Sequence, residues 1–377
     1  MRFVIKVGTA LLTTEDYQLN REFLRELVAQ IAEVKNQGHE VVIVTSGAVA
    51  AGRSKICFIK EKKNIPYRQV FAAIGQGLLM RAYERFFRQH GVVVAQALMT
   101  NYDFINRESF LNMRNVFDLI LEKGVVPIVN ENDVTTVSEL KFGDNDMLSA
   151  KTAAAICADF LIICTDVDGL YSSDPRNNPD AKLVPCVSKV TDAVKKCASG
   201  AKSGRSLGGM ITKLEAANYV ASVGIPTFIT NGKKTGQLKK LVEFLIKYST
   251  QKEKTEAQKY GTFFCPYINK MQNQKKWLRA KTKKGAWVEI DDGAAKALAK
   301  NGKSLLPSGI LKVHGKFERG DVIVVKHDGN DVAYGQVNYS AEDIDKIKKH
   351  HCDEIGLILG FNFADEVIHR DRMAVIG

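Results

Sequence analysis

The sequence predicts an α/β protein: a mainly parallel sheet sandwiched by helices, followed by a small β-rich domain. Three observations predict it. Up to about residue 248, short β-branched runs alternate with segments whose apolar residues recur at helical spacing. Such alternation indicates a parallel sheet covered on both faces. The length of 377 residues exceeds one ordinary domain and suits two, one of them large. At Ser249 the texture changes, first to a charged stretch and then to short strands with turns.

Each element has a local reason. Phe3–Val7 is a β-branched run broken by Gly8. Asn20 can cap a helix in which Phe23, Leu24, Leu27, Val28, Ile31 and Val34 fall on one face, ended by Gly38. Val41–Val44 is a second buried strand with Ser46-Gly47 at its tip. A helix spans roughly Tyr67 to His90, Val92–Leu98 is a third strand, and a helix runs from about Glu108 to Lys123. Val125–Val129 is the next strand, a helix begins near Asn145, and Phe160–Cys164 is another strand. Gly200–Gly209 is Gly/Ser-rich and basic, and a helix follows from about Met210 to Val223. Thr227–Ile229 closes the sheet, with a last helix over Gln237–Tyr248. The expected division is a large domain over 1–250, a linker over 251–274 and a small domain over 275–377. In the small domain the expected strands are Ala286–Ile290, Gly309–Val313, Asp321–Lys326 and Asp331–Val337, with short helices near Gly293–Asn301 and Ala341–Lys349.

Composition narrows the class. Hydrophobic content of 45% and charged content of 25% describe a globular chain with enough apolar surface for a core. No apolar run reaches membrane-spanning length, and MRFVIKVG enters a strand pattern with no signal-peptide region ahead of it. The seven cysteines are scattered, with no Cys-x-x-Cys pair, as expected of reduced thiols in a cytoplasmic protein. The formal net charge of +12 favours anionic ligands, nucleotide phosphates or nucleic acid alike.

Ligands of open parallel sheets collect at the carboxyl ends of the strands. Four such ends carry suggestive residues. Lys6-Val7-Gly8-Thr9 leaves the first strand, and Lys6 is a cation in an otherwise apolar run. Thr45-Ser46-Gly47-Ala48 feeds a helix start, a natural donor nest for an anion. Asn130–Asp133 leaves the Val125–Val129 strand, and Thr165–Asp168 leaves the next. The stretch Ile128–Ala150 clusters Asn130, Glu131, Asn132, Asp133, Asp144, Asn145 and Asp146, which suits an amino acid, a metal-bound phosphate, or both. Ordinary turns and helix caps use the same residue types. Leu207-Gly208-Gly209-Met210-Ile211-Thr212-Lys213 opens a helix through a glycine pair. A lysine so near a helix start runs against the dipole preference unless an anion is close.

Neither a Walker A motif nor Gly-x-Gly-x-x-Gly is present. Before residue 270 the only histidines are His39 and His90, both away from these clusters, which argues against a histidine base or a His/Cys metal site. Phosphoryl transfer to a carboxylate needs neither. Such an acceptor, with an ordinary pKa of about 4.3, is already ionised at neutral pH. The protein must then neutralise charge and align two mutually repelling anions. Two lysines, Mg²⁺ and glycine-flanked backbone N–H groups suit that task.

At this point the motifs resemble a known family. KVGTALL at 6–12, VTSGAVAAGR at 44–53, VNENDV at 129–134, KFGDNDMLSA at 141–150, TDVDGLYSSDPR at 165–176 and GGMITK at 208–213 resemble the amino-acid kinase superfamily, and within it the glutamate 5-kinases. Carbamate, acetylglutamate, aspartate and UMP kinases share the fold but not NEND followed by FGDND. The tail from about Lys275 to Asp353, with SLLPSGI and FERGDVI, resembles a PUA domain. The resemblance implies ATP-dependent phosphorylation of the L-glutamate side-chain carboxylate to L-glutamyl 5-phosphate, the first step of L-proline biosynthesis. It implies that Lys6 and Lys213 neutralise phosphoryl charge, that Asp146 orients them, and that Gly47 offers its N–H. Ser46, Asp133 and Asn145 are implied to hold glutamate, and Lys6, Thr165, Asp166 and 207–213 to contact ATP. Mg²⁺, feedback inhibition by L-proline and a homo-dimer or homo-tetramer are implied as well.

Two positions depart from the family pattern. Leu207 stands where the family has Thr before the glycine pair, and Lys55–Arg68 is more basic in a loop that contributes to glutamate and proline binding. The basic run Lys275–Lys284 with Trp277 makes RNA a candidate partner of the PUA domain, against the plainer expectation of an edge strand guarded by lysines. Two rival functions follow: an RNA-binding protein with a degenerate kinase fold, and a related kinase acting on aspartate or acetylglutamate.

Overall fold

The computed structural model describes residues 1–56, 65–136, 145–175, 177–198, 209–251, 259–269 and 277–376. The chain divides into two compact units, Met1–Ile268 and Asn269–Gly377. Residues 57–64 of the basic stretch, 137–144 of the polar stretch, and Leu207 and Gly208 lie outside the described residues, as do Lys275 and Lys276 and much of the expected linker.

The first unit is built on eight strands: β1 (Arg2–Val7), β2 (Glu40–Val44), β3 (Val94–Met99), β4 (Val126–Glu131), β5 (Phe160–Thr165), β6 (Cys186–Val187), β7 (Thr227–Asn231) and β8 (Thr262–Phe264). Their order across the sheet is β3-β4-β2-β1-β5-β7-β8-β6. Every pair is parallel except β7 with β8. Strand β8 lies within the stretch expected to be a linker, where three residues flanked by polar sequence give too short a pattern to read.

Alternation along the strands splits the core in two. Phe3, Ile5 and Val7 pack with helices Arg21–Asn36, Ile65–Arg88 and Gln237–Gln251 on one face. Val4, Val42, Val44, Leu161 and Ile163 pack with helices Arg107–Glu122, Asn145–Ala155 and Met210–Ser222 on the other. Lys6 shares the face of Val4 by the period of two, so its side chain is directed toward the second set of helices. Its register partners are Val44 on β2 and Ile163 on β5, which makes β1 the centre of the sheet.

The helices form for the expected reasons. The Asn20 side chain accepts from the Phe23 N–H, and Leu24, Leu27, Val28 and Ile31 fill the buried face behind that cap. The Ala48–Arg53 helix, which helical spacing alone is too short to reveal, is seated by glycine. A Cβ on Gly75 would fall 1.8 Å from the Ala48 carbonyl oxygen, and one on Gly52 would fall 1.8 Å from that of Phe71. Only glycines allow this helix to lie against Ile65–Arg88, and that contact fixes Gly47 at its start.

The second unit carries a five-stranded sheet in the order β10-β9-β11-β12-β13, with β9 (Thr282–Ile290), β10 (Ile310–His314), β11 (Val322–His327), β12 (Asn330–Gln336) and β13 (Met373–Val375). Only β9 and β11 are parallel. Val288, Ile290, Ile323, Val325, Ala333 and Tyr339 form its own core with Ile344 and Ile347 of the Ala341–Ile347 helix. Strand β9 begins earlier than expected; β10 pairs with it only over Trp287–Ile290, while Thr282 pairs with Val322 of β11. Trp277 precedes it and is half exposed, whereas Leu278 is buried against Val322 and Ala374. No helix among the described residues is long and apolar enough to cross a membrane.

Candidate active site

Parallel pairing brings the carboxyl ends of β1, β2, β4 and β5 to one edge of the sheet, and the polar residues there form two linked groups. The first is centred on Asp146, whose side chain is fully buried in the first turn of the Asn145–Ala155 helix. Lys6 Nζ lies 2.7 Å from Asp146 Oδ1, and Lys213 Nζ lies 3.1 Å from Oδ2. The Thr212 hydroxyl donates to the same Oδ2 at 2.8 Å. Ser149 donates to the Asp146 backbone carbonyl at 2.6 Å and steadies the turn. Both lysines are almost wholly buried. A buried ammonium is tolerated only with a partner. Here two ammonium groups share one carboxylate, a charge balance that suits an incoming phosphoryl anion.

Lys213 is the fourth residue of the Met210–Ser222 helix, which Gly209 caps in extended conformation. Asp146 is the nearby anion that its position against the helix dipole called for. Gly209, Met210 and Ile211 lie at the start of that helix, with Ile211 exposed.

The second group is an amide chain. Asn145 Nδ2 donates its two N–H groups to the Thr45 carbonyl at 2.5 Å and Asn130 Oδ1 at 2.8 Å, with Ser46 Oγ, 3.1 Å away, sharing one of them. Asn130 Nδ2 in turn donates to Gln76 Oε1 at 2.8 Å. Asn145 and Asp146 are sequence neighbours, so a single helix start ties this chain to the lysine cluster. Gly47 follows Ser46 in the left-handed region, with φ of 92°, and caps the Ala48–Arg53 helix. That conformation suits glycine and presents the backbone at the strand tip. Thr45 also bonds Tyr83 OH at 2.9 Å; burial raises the Tyr83 pKa, so the phenol stays neutral.

Beside this chain lies a cavity of about 320 Å³ whose wall includes Ala48, Gln76, Glu131, Asn132 and Asp133. Its lining meets the amide chain at Gln76, the partner of Asn130, and does not include Lys6 or Lys213. Asp133 is partly buried in the turn that follows β4.

Thr165 and Asp166 lie at the end of β5, with the Thr165 hydroxyl donating to Asp166 Oδ1 at 3.2 Å. Two residues on, Asp168 forms an ion pair with Lys234 at 2.7 Å and accepts from Asn231 Nδ2 at 2.9 Å. Burial opposes ionisation of Asp168, but the bonds from Lys234 and Asn231 outweigh it and hold the carboxyl below its ordinary range. Cys164, one residue before Thr165, is pushed up to about 12 by burial, with Lys6 opposing, and is unreactive.

The structure thus unites Lys6, Asp146, Thr212 and Lys213, and separately joins Ser46 and Asn145. Sequence reasoning missed Gln76 and the bonding role of Asn130. Gln76 lies on the buried face of a long helix among apolar residues, and no spacing marks it. Among the described residues, the groups with three close metal-ligand atoms are Asp292, His327, Asp328 and His351, Cys352, Asp353, both in the second unit. At the lysine cluster the Asp146 carboxylate is occupied by two lysines and Thr212. A Mg²⁺ at this cluster would have to be held chiefly by phosphate oxygens and water.

The chain matches the model of the amino acid kinase family over residues 1–231 and that of the PUA domain over 286–359. It is 45% identical over 377 residues to the glutamate 5-kinase of Caldanaerobacter subterraneus subsp. tengcongensis, covering 100% of this chain and 98% of that protein. It is 44% identical to the glutamate 5-kinase of Thermoanaerobacter sp., over 100% of this chain and 98% of that protein. The glutamate 5-kinase of Geobacter sulfurreducens is 42% identical over 100% of this chain and 97% of its own.

Proposed function

The chain belongs to the amino acid kinase family, in its glutamate 5-kinase branch with a PUA domain, and we propose how its residues divide the work of that reaction. The enzyme transfers the γ-phosphoryl group of ATP to the side-chain carboxylate of L-glutamate, giving L-glutamyl 5-phosphate and ADP, the first step of L-proline biosynthesis. A carboxylate oxygen attacks phosphorus, and the bond from phosphorus to the β-phosphate bridging oxygen breaks. No proton leaves the acceptor, which agrees with a site built without histidine.

One observation carries the division of labour: Lys6 and Lys213, from distant parts of the chain, converge on Asp146. We assign the two ammonium groups to the transferring phosphoryl group, where they offset charge that grows on the equatorial oxygens. Asp146 holds both in position, aided by Thr212. Gly47 adds a backbone N–H at the transferred group. Ser46, Asp133 and Asn145 hold glutamate. The Asn145 amide nitrogen is spent on Thr45, Ser46 and Asn130, so its carbonyl oxygen, with the Asp133 carboxylate, is the acceptor for the substrate ammonium. Thr165, Asp166 and the 207–213 segment contact ATP. Bound Mg²⁺ supplies further neutralisation of the phosphate charge.

The test is trapping of the acyl phosphate with hydroxylamine in the presence of Mg-ATP. Glutamate-dependent hydroxamate is the expected result. Product with aspartate or acetylglutamate but not glutamate would overturn the substrate and keep the mechanism. Suppression by L-proline tests the inhibitor that the family resemblance implies, and sedimentation tests its dimer or tetramer.

A further inference from the structure

Two cysteines that play no part in this chemistry face each other at the far edge of the first sheet. Cys186 opens β6 and Cys265 follows β8, and their Sγ atoms lie 3.4 Å apart. The ladder sets this approach: Cys186 pairs with Phe263, and the Cys265 N–H donates to the Val187 carbonyl at 3.0 Å. Cys265 lies two residues beyond Phe263, so by the period of two its side chain shares a face with that of Cys186. Cys186 is exposed and Cys265 partly so, whereas Cys164 is sealed in the core. Closing a disulfide needs the sulfurs to approach to about 2.05 Å, a movement of little more than one ångström between neighbouring strands.

We propose that Cys186 and Cys265 form a reversible intramolecular disulfide by exchange with a small-molecule disulfide such as oxidised glutathione. The exposed Cys186 thiolate attacks one glutathione sulfur, forming a mixed disulfide and releasing one glutathione thiolate. The Cys265 thiolate then attacks Cys186 Sγ, the protein Sγ–Sγ bond forms, and the second glutathione leaves. Two electrons pass from the protein dithiol to the glutathione disulfide, and the two thiol protons end on the released glutathiones.

The bond ties together segments that are 79 residues apart. Closing so long a loop restricts the unfolded chain, and the oxidised form gains thermal stability. Strand β8 also holds the segment that follows β5, because the Thr262 hydroxyl accepts from the Leu170 N–H at 2.8 Å and donates to the Val184 carbonyl at 2.7 Å.

The experiment treats the full-length protein with oxidised glutathione, quenches with an alkylating agent, and maps the peptides by mass spectrometry alongside thermal unfolding. The expected result is a loss of about 2 Da with Cys186 and Cys265 linked, reversal by dithiothreitol, and a Tm higher by roughly 5–10 °C. Cys186→Ser and Cys265→Ser each abolish the link and leave turnover of the untreated enzyme unchanged. Glutathione adducts that persist on both cysteines, a link to a different cysteine, or no reaction would each overturn the proposal. A link formed without any rise in Tm would overturn its stabilising role.

Discussion

Asp146 is fully buried, and its two oxygens are shared by Lys6, Lys213 and Thr212. Coulomb attraction in so dry a site is strong, and it is needed to offset the desolvation of three charges. In the proposed division of labour, Lys213 acts on the charge that appears during transfer and not on the resting substrate. Lys213→Ala is expected to lower kcat by roughly 10²–10³-fold with little change in the KM for glutamate. Steady-state kinetics decide it, and an unchanged kcat removes Lys213 from the catalytic set. Asp168 offers a test of charge and stability. Its carboxyl is held below the ordinary range by Lys234 and Asn231, so its contribution is present above that range and is lost as pH falls through the lowered value. Asp168→Asn is expected to lower Tm at neutral pH, with the gap to the unsubstituted protein closing below the ordinary aspartate value of about 3.9. A gap of equal size at both ends of a pH series of melting curves contradicts this.

At the scale of elements, the glycine contacts between Ala48–Arg53 and Ile65–Arg88 hold both Gly47 and Gln76 in place. The Gly75 contact is with backbone, which cannot rotate away as a side chain can. Gly75→Ala must separate the two helices or unfold one. Overpacking of this kind costs on the order of 1–3 kcal/mol, and here it also moves the strand tip that carries Ser46. The expected outcome is a lower Tm together with a raised KM for glutamate. A variant with wild-type Tm and KM would mean that the helices part without cost. The amide chain Gln76–Asn130–Asn145 depends on the same packing, because Gln76 reaches Asn130 from the Ile65–Arg88 helix.

At the scale of the molecule, two units have separate cores, one on each side of the eight-stranded sheet and another around the five-stranded sheet. Calorimetry is expected to resolve two transitions, and Mg-ATP with glutamate is expected to raise the one belonging to residues 1–268. A single transition shifted as a whole by ligand would contradict separate units.

What the sequence by itself determined is the local order. Periods of two and 3.6 marked most strands and helices of the first unit, and Asn20 and Gly38 marked the ends of one helix. The motifs singled out Lys6, Ser46, Asn145, Asp146 and Lys213 as candidates, and the family resemblance implies the roles proposed for them. Short elements such as β6 and β8 escaped, because two or three residues carry no period. Tertiary structure alone decided the partners. That Lys6 and Lys213 meet on one carboxylate, that Gln76 joins Asn130, and that Cys186 faces Cys265 all follow from strand order, register and the packing of helices on the sheet. Strand order is set by burial on both faces and by pairing between segments far apart in the chain. A side-chain pattern records which face a residue occupies, but not which distant residue it will meet there.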